Sequence, residues 1–125
     1  MLSDKKKAAE IGKKGEEKVA DYLKSKGYII LKRNYKDRFG EVDIIAQNEE
    51  YIVFVEVKTR SENAIVSGFE AVNSKKQRLI KNEALMFTKR LKTELTPRID
   101  VAEVTVSKSE DGNEKWKLNY LKNAY

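Results

Sequence analysis

A chain of 125 residues, 40% hydrophobic and 37% charged, can bury one core beneath a heavily charged surface, and we read residues 1–125 as a single domain. The absence of cysteine excludes disulfides, thiol nucleophiles and thiolate metal sites, and the absence of histidine excludes serine–histidine triads and imidazole metal centres. Hydrolysis, if present, must run on carboxylates, lysine and metal, while a net charge of +6 points to a polyanionic partner, nucleic acid first, with a basic surface kept for solubility as the alternative.

From about residue 3 to residue 26, Ile11, Gly15, Val19, Tyr22 and Leu23 recur at three- and four-residue spacing, the stripe of an amphipathic helix that Gly27 would end. Glu17 points to solvent on that helix. Glu16 lies at the margin of the stripe, either as an ordinary exposed charge or as a third acid at the rim of a cleft. The lysine-rich start lacks the apolar centre of a signal peptide, and no run approaches the roughly 18 apolar residues of a membrane span. A cytoplasmic chain with no membrane association is expected.

Residues 28–32 read as a strand. Two further runs alternate with period two. In the first, Val42, Ile44 and Ala46 share one face and Glu41 and Asp43 the other. In the second, Val53, Val55 and Val57 oppose Ile52, Phe54, Glu56, Lys58 and Arg60. The polar Gln47-Asn48-Glu49-Glu50 joins them as an antiparallel hairpin. Matching the aliphatic faces sets Asp43 beside Glu56, within about 5–8 Å. Carboxylates that close repel unless a cation or proton lies between them.

Hard Mg²⁺, with Mn²⁺ as a possible substitute, takes such oxygen ligands, and Lys58 on the same strand face could orient a water or neutralise charge on a phosphate. Glu56 and Lys58 alone would equally be a surface ion pair. Asp43 on the partner strand, and the apolar run Ile52-Val53-Phe54-Val55 before Glu56, favour a site.

Residues 61–73 read as a connecting loop in which Gly68 and small side chains permit movement. Ser74 and Gln77 have capping-box spacing, and Ile80, Ala84, Phe87 and Leu91 form the buried stripe of the helix that follows. Lys76, near that helix start, is either a phosphate contact or one more solvated lysine. Residues 98–106 and 116–121 close the sheet across the polar turn Ser109–Asn113. Asp100 reads as structural. Trp116, Tyr120 and Tyr125 read as edge packing, with base stacking as the alternative. Arg33, Lys36, Arg38 and Arg60 flank the acidic hairpin, where basic residues can hold a nucleic-acid backbone.

Taken together, Asp43, Glu56 and Lys58 on a hairpin preceded by a helix resemble the PD-(D/E)XK nuclease superfamily. The chain more closely resembles the small bacterial YraN family of nuclease-like proteins. The resemblance is carried by Gly15-Glu16-Glu17-Lys18-Val19-Ala20 with Tyr22-Leu23, Gly27-Tyr28, Arg33-Asn34-Tyr35, Gly40-Glu41-Val42-Asp43-Ile44-Ile45, Phe54-Val55-Glu56-Val57-Lys58-Thr59-Arg60, Glu70-Ala71-Val72 with Lys76-Gln77, and Arg98-Ile99-Asp100-Val101. The proline that names the superfamily motif is missing, since Phe39 and Gly40 precede the acidic turn.

The resemblance implies an α/β, restriction-endonuclease-like fold, a mixed β-sheet flanked by helices, shared with Holliday-junction resolvases. It implies Mg²⁺-dependent cleavage of structured or branched DNA. In that reading Asp43 and Glu56 hold metal, Lys58 assists water, Glu16 is an accessory acid, and Arg33, Arg60, Lys76 and Gln77 contact backbone. Symmetric junction cutting would require a homodimer. The rival reading is a nucleic-acid-binding module that keeps the fold without turnover.

Overall fold

The computed structural model describes residues 4–61 and 74–125. Helix α1 (Asp4–Ser25) leads into strands β1 (Ile29–Lys36), β2 (Glu41–Gln47) and β3 (Tyr51–Ser61); helix α2 (Ser74–Leu91) precedes β4 (Thr96–Lys108) and β5 (Glu114–Leu121). Most of the expected 61–73 connection, with Gly68 and the Glu70-Ala71-Val72 segment, lies outside the described residues.

The five strands form one mixed sheet in the order β1-β2-β3-β4-β5. All neighbours are antiparallel except β3 and β4, which run parallel from Tyr51↔Thr96 to Ser61↔Val106. A parallel pair cannot be closed by a tight turn, so the connection between these strands, which contains α2, must cross a face of the sheet. The expected α/β architecture with a helix on each face is what the chain adopts.

Alternation on β3 divides the core. Val53 and Val55 pack with Val19, Ala20 and Leu23 of α1, together with Ala102 and Val104 of β4. Ile52 and Phe54 pack with Ile80 and Ala84 of α2 and Ile99 of β4. Each helix has one apolar stripe, and β3, buried on both faces, supplies an apolar partner to both.

Two glycines set how closely the helices approach. A Cβ on Gly15 of α1 would lie 2.0 Å from Thr59 Oγ1 of β3. A Cβ on Gly40, in the β1–β2 turn, would lie 2.1 Å from the backbone oxygen of Leu79 in α2. Gly27 plays a different part. With φ of 90° it ends α1 through bonds from Gly27 N–H to Lys24 O (3.1 Å) and from Tyr28 N–H to Leu23 O (3.0 Å), the left-handed helix termination expected of glycine.

The expected elements are present, and several strands extend further than their patterning indicated. β1 reaches Lys36 rather than residue 32, and β4 spans Thr96–Lys108 rather than 98–106. Asp100 is structural. Fully buried, it accepts from Arg98 Nε (2.9 Å), the Tyr120 hydroxyl (2.6 Å) and Asn123 N–H (2.9 Å), and Arg98 also donates to the Tyr28 hydroxyl at 2.7 Å. Trp116 and Tyr120 pack against the α1-side core. Tyr125 instead lies against the α2-side core, beyond β5. Among the described residues, no helix is long and apolar enough to cross a membrane.

One expectation about faces fails. Val42 does not share a side with Ile44 and Ala46: it packs in the α2-side core, while Ile44 and Ala46 pack in the α1-side core. The reason is local. The β1–β2 ladder passes from Arg33↔Ile44 to Tyr35↔Val42 across Asn34, whose φ of 49° is left-handed. The β2–β3 ladder ends at Ile44↔Val55. Period-two alternation therefore breaks at Asp43.

Candidate active site

That break positions the first acid. Beyond the last β2–β3 pair, Val57 N–H donates to the Asp43 carboxylate at 2.7 Å, so a side chain satisfies a backbone donor that would otherwise need a ladder partner. Glu56, on the α2-facing side of β3 in line with Phe54, is only 7% exposed. Asp43 and Glu56 both line a cavity of about 250 Å³ with Asn34, Tyr35, Lys36, Glu41, Val42 and Lys76. The sequence reading paired the two acids correctly, although the regular alternation invoked for it is not how the strand achieves it.

Charge confirms how tightly they are held. Burial, and then the negative charge of Glu56, pushes the Asp43 carboxyl up to about 7; the bond from Val57 opposes this and the charge of Glu16 adds to it. Two lysines answer the acids. Lys58 Nζ lies 3.1 Å and Lys76 Nζ 3.2 Å from the same oxygen, Glu56 Oε1. Burial and the neighbouring Lys76 draw Lys58 below the ordinary lysine range, against the pull of Glu56. Contact with Lys58, helped by the charges of Glu56 and Asp43, holds Lys76 above it.

Lys76 reaches this site because Gly40 lets α2 descend onto the β1–β2 turn. A hydrogen-bonded cluster secures the same junction. Arg90 donates to Asp37 Oδ2 (2.9 Å), Tyr35 OH (3.1 Å) and Glu83 Oε1 (3.2 Å). Asp37 Oδ1 caps the turn by accepting from Phe39 N–H (2.8 Å) and Gly40 N–H (3.3 Å). Bonding to Glu83 holds Asp37 down at about 2, while burial and Asp37 push the fully buried Glu83 up to about 7.

The other candidates lie further out. Glu16 is partly buried on α1, and its charge is felt at Asp43, but among the described residues no three acids stand close enough to share one metal ion. Arg33 pairs with the exposed Glu17 at 3.0 Å. Arg60 lies on β3 past Lys58, its Nε buried with no hydrogen-bond partner. Gln77 follows Lys76 on α2. None of these four residues lines the acidic cavity.

Lys36 and Arg38 do flank the hairpin as expected. With Lys75 and Lys76 they surround an adjoining cleft of about 380 Å³ over Gly40. Sequence pattern missed Lys75, because it belongs to no alternating run and is placed by how α2 docks on the β1–β2 turn.

The donor set suits a hard divalent cation: two converging carboxylates, of which Asp43 has a raised proton affinity, and a lysine near a helix start beside them. The partner lysines currently supply the positive charge that the acid pair requires.

This chain matches, over residues 15–104, the description "Uncharacterised protein family UPF0102". It is 43% identical over 118 residues to a UPF0102 protein of Alkaliphilus oremlandii, covering 92% of this chain and 97% of that one. A UPF0102 protein of Caldicellulosiruptor saccharolyticus is 44% identical over 117 residues, covering 93% and 97%. The UPF0102 protein of Thermodesulfovibrio yellowstonii is 39% identical over 116 residues, covering 93% and 96%. Matched over residues 15–104 by a family model and over nearly its full length by these relatives, the chain belongs to the UPF0102 (YraN) family.

Proposed function

We propose that the protein is a metal-dependent nucleic-acid phosphodiesterase, acting on structured or branched DNA. The observation that carries this reading is the convergence of Asp43, Glu56, Lys58 and Lys76 beside a cleft where Lys36, Arg38, Lys75 and Lys76 outnumber Asp37 and Glu41. Asp43 and Glu56 would hold Mg²⁺ or Mn²⁺, which when bound supplies Lewis-acid activation of water and charge stabilisation at the phosphate. Asp43 must first lose its proton, and the Val57 N–H bond keeps its carboxylate aimed at the cavity.

With a cation on the acids, Lys58 and Lys76 no longer need Glu56 as their counter-ion. Lys58, with its depressed proton affinity, accepts a proton from the attacking water or neutralises charge developing on the phosphate. Lys76 turns to a substrate phosphate with Lys36, Arg38 and Lys75. Glu16 serves as an accessory acid at the rim, and Arg33, Arg60 and Gln77 contact backbone further from the scissile bond. Recognition runs through phosphate and shape, because the cleft presents cations without a base-reading element.

The test is incubation of the wild type and Lys58→Ala with four-way junction, duplex and single-stranded DNA, in Mg²⁺, Mn²⁺ or chelator. The reading expects metal-dependent cleavage by the wild type and at least a ~100-fold slower rate in the variant. Tight binding without cleavage under every condition would select the non-catalytic binding module instead.

A further inference from the structure

A second and larger cavity, about 550 Å³, lies on the other flank of α2. Its floor is apolar, from Ala84, Leu85, Pro97 and Ile99, and its rim carries Lys81, Lys89 and Lys92; Arg98 also lines it, but its guanidinium is held on the other face of the sheet by Asp100 and Tyr28. Lys81, Leu85 and Thr88 follow one another at four- and three-residue steps in one row of the helix, and Lys92 lies just past its end with a φ of 52°. At 1.5 Å per residue the helical row runs roughly 10 Å.

Two polar atoms of lining residues, Thr88 Oγ1 and the Tyr125 hydroxyl, are buried with no hydrogen-bond partner among the described residues. Orphaned buried hydroxyls are costly and call for an explanation. Leu85, in the same wall, is 60% exposed despite its size.

Tyr125 lines this cavity and packs against the α2-side core, with Lys81 Nζ 5.8 Å from its ring centre. Helix α2 carries both Lys81 at this groove and, nearer its start, Lys76 on Glu56 of the acid pair, so one helix borders both sites.

We propose that this groove receives an unpaired strand continuing from the bond at Asp43 and Glu56, with its phosphates along the lysines and one base seated in the apolar cavity. The proposal rests on the phosphodiesterase reading for its direction, and the fit is chemical. A nucleotide combines an anionic backbone, which the three rim lysines attract, with a flat face that the apolar floor can seat. An apolar protein segment would leave the lysines unanswered, and a purely ionic partner would leave the floor unanswered.

The test is fluorescence anisotropy of the full chain in chelator, so that it is independent of cleavage. The probes are a blunt duplex, the same duplex with a short single-stranded tail, and one whose tail is abasic. The groove predicts tailed duplex binding at least ~10-fold tighter than blunt, a margin that one stacked base supplies. That ratio falls to about one for the abasic tail, and also for Lys89→Glu/Lys92→Glu, whose thermal melting verifies that it folds.

A wild-type ratio near one, or a ratio unchanged by the double substitution, overturns the proposal. An abasic tail that binds as tightly as the intact one overturns the seated base. Failure of metal-dependent cleavage with the tail preference intact would instead count against the phosphodiesterase reading alone.

Discussion

Asp43 is the residue on which structure and chemistry meet. Its carboxylate does backbone work, accepting the Val57 N–H, and site work, facing Glu56 across a small cavity. A folded-state value near 7 against about 3.8 unfolded means the native chain holds a proton that the unfolded chain releases. This group therefore leaves stability intact below about pH 4 and reduces it progressively as pH rises to about 7, beyond which the loss is complete. Asp43→Asn retains an acceptor for Val57 and gives Glu56 a donor in place of a charge. In metal-free buffer at pH 8 it should raise stability by ~1–2 kcal/mol, allowing for partial exposure, while eliminating cleavage. Chemical denaturation with and without chelator checks the first half, and a variant no more stable than wild type in chelator would remove the repulsion from the account. The pairing of these acids was legible from spacing. The route was not, because a left-handed Asn34 and the end of a ladder leave no mark in a period-two pattern.

At the scale of elements, the site is assembled by docking helices onto a sheet whose strands could be read in order. β3, with five consecutive buried residues from Ile52 to Glu56, announced itself as a central strand, and α2 buries Ile80 and Ala84 of its expected stripe, while Leu91 at its end is 46% exposed. What could not be read was that α2 places Lys76 on Glu56, since that depends on the close approach at Gly40. Gly40→Ala would set a methyl against the Leu79 carbonyl, backbone that no side-chain rotation can move aside. The expected cost is roughly 1–3 kcal/mol with a displaced α2 N-terminus. Urea unfolding should show that loss, and weaker DNA binding should accompany it. A variant as stable as wild type would mean that α2 is not held at this point.

Across the whole molecule, charge is divided by region. Acids concentrate in one partly buried cavity, and cations gather in the adjoining cleft and along the far flank of α2, which a net charge of +6 announced without locating. The absence of histidine and cysteine had already confined hydrolytic chemistry to the residue types found converging here. The central claim is that the acid pair holds a divalent cation in place of a proton and two lysine contacts. Calorimetric titration of Mg²⁺ and Mn²⁺ at pH 6, in two buffers of different ionisation heat, measures this directly. The account expects one ion per chain with release of on the order of one proton, and loss of both in Asp43→Asn. Absence of binding by either ion, or binding without proton release that survives the substitution, would contradict it.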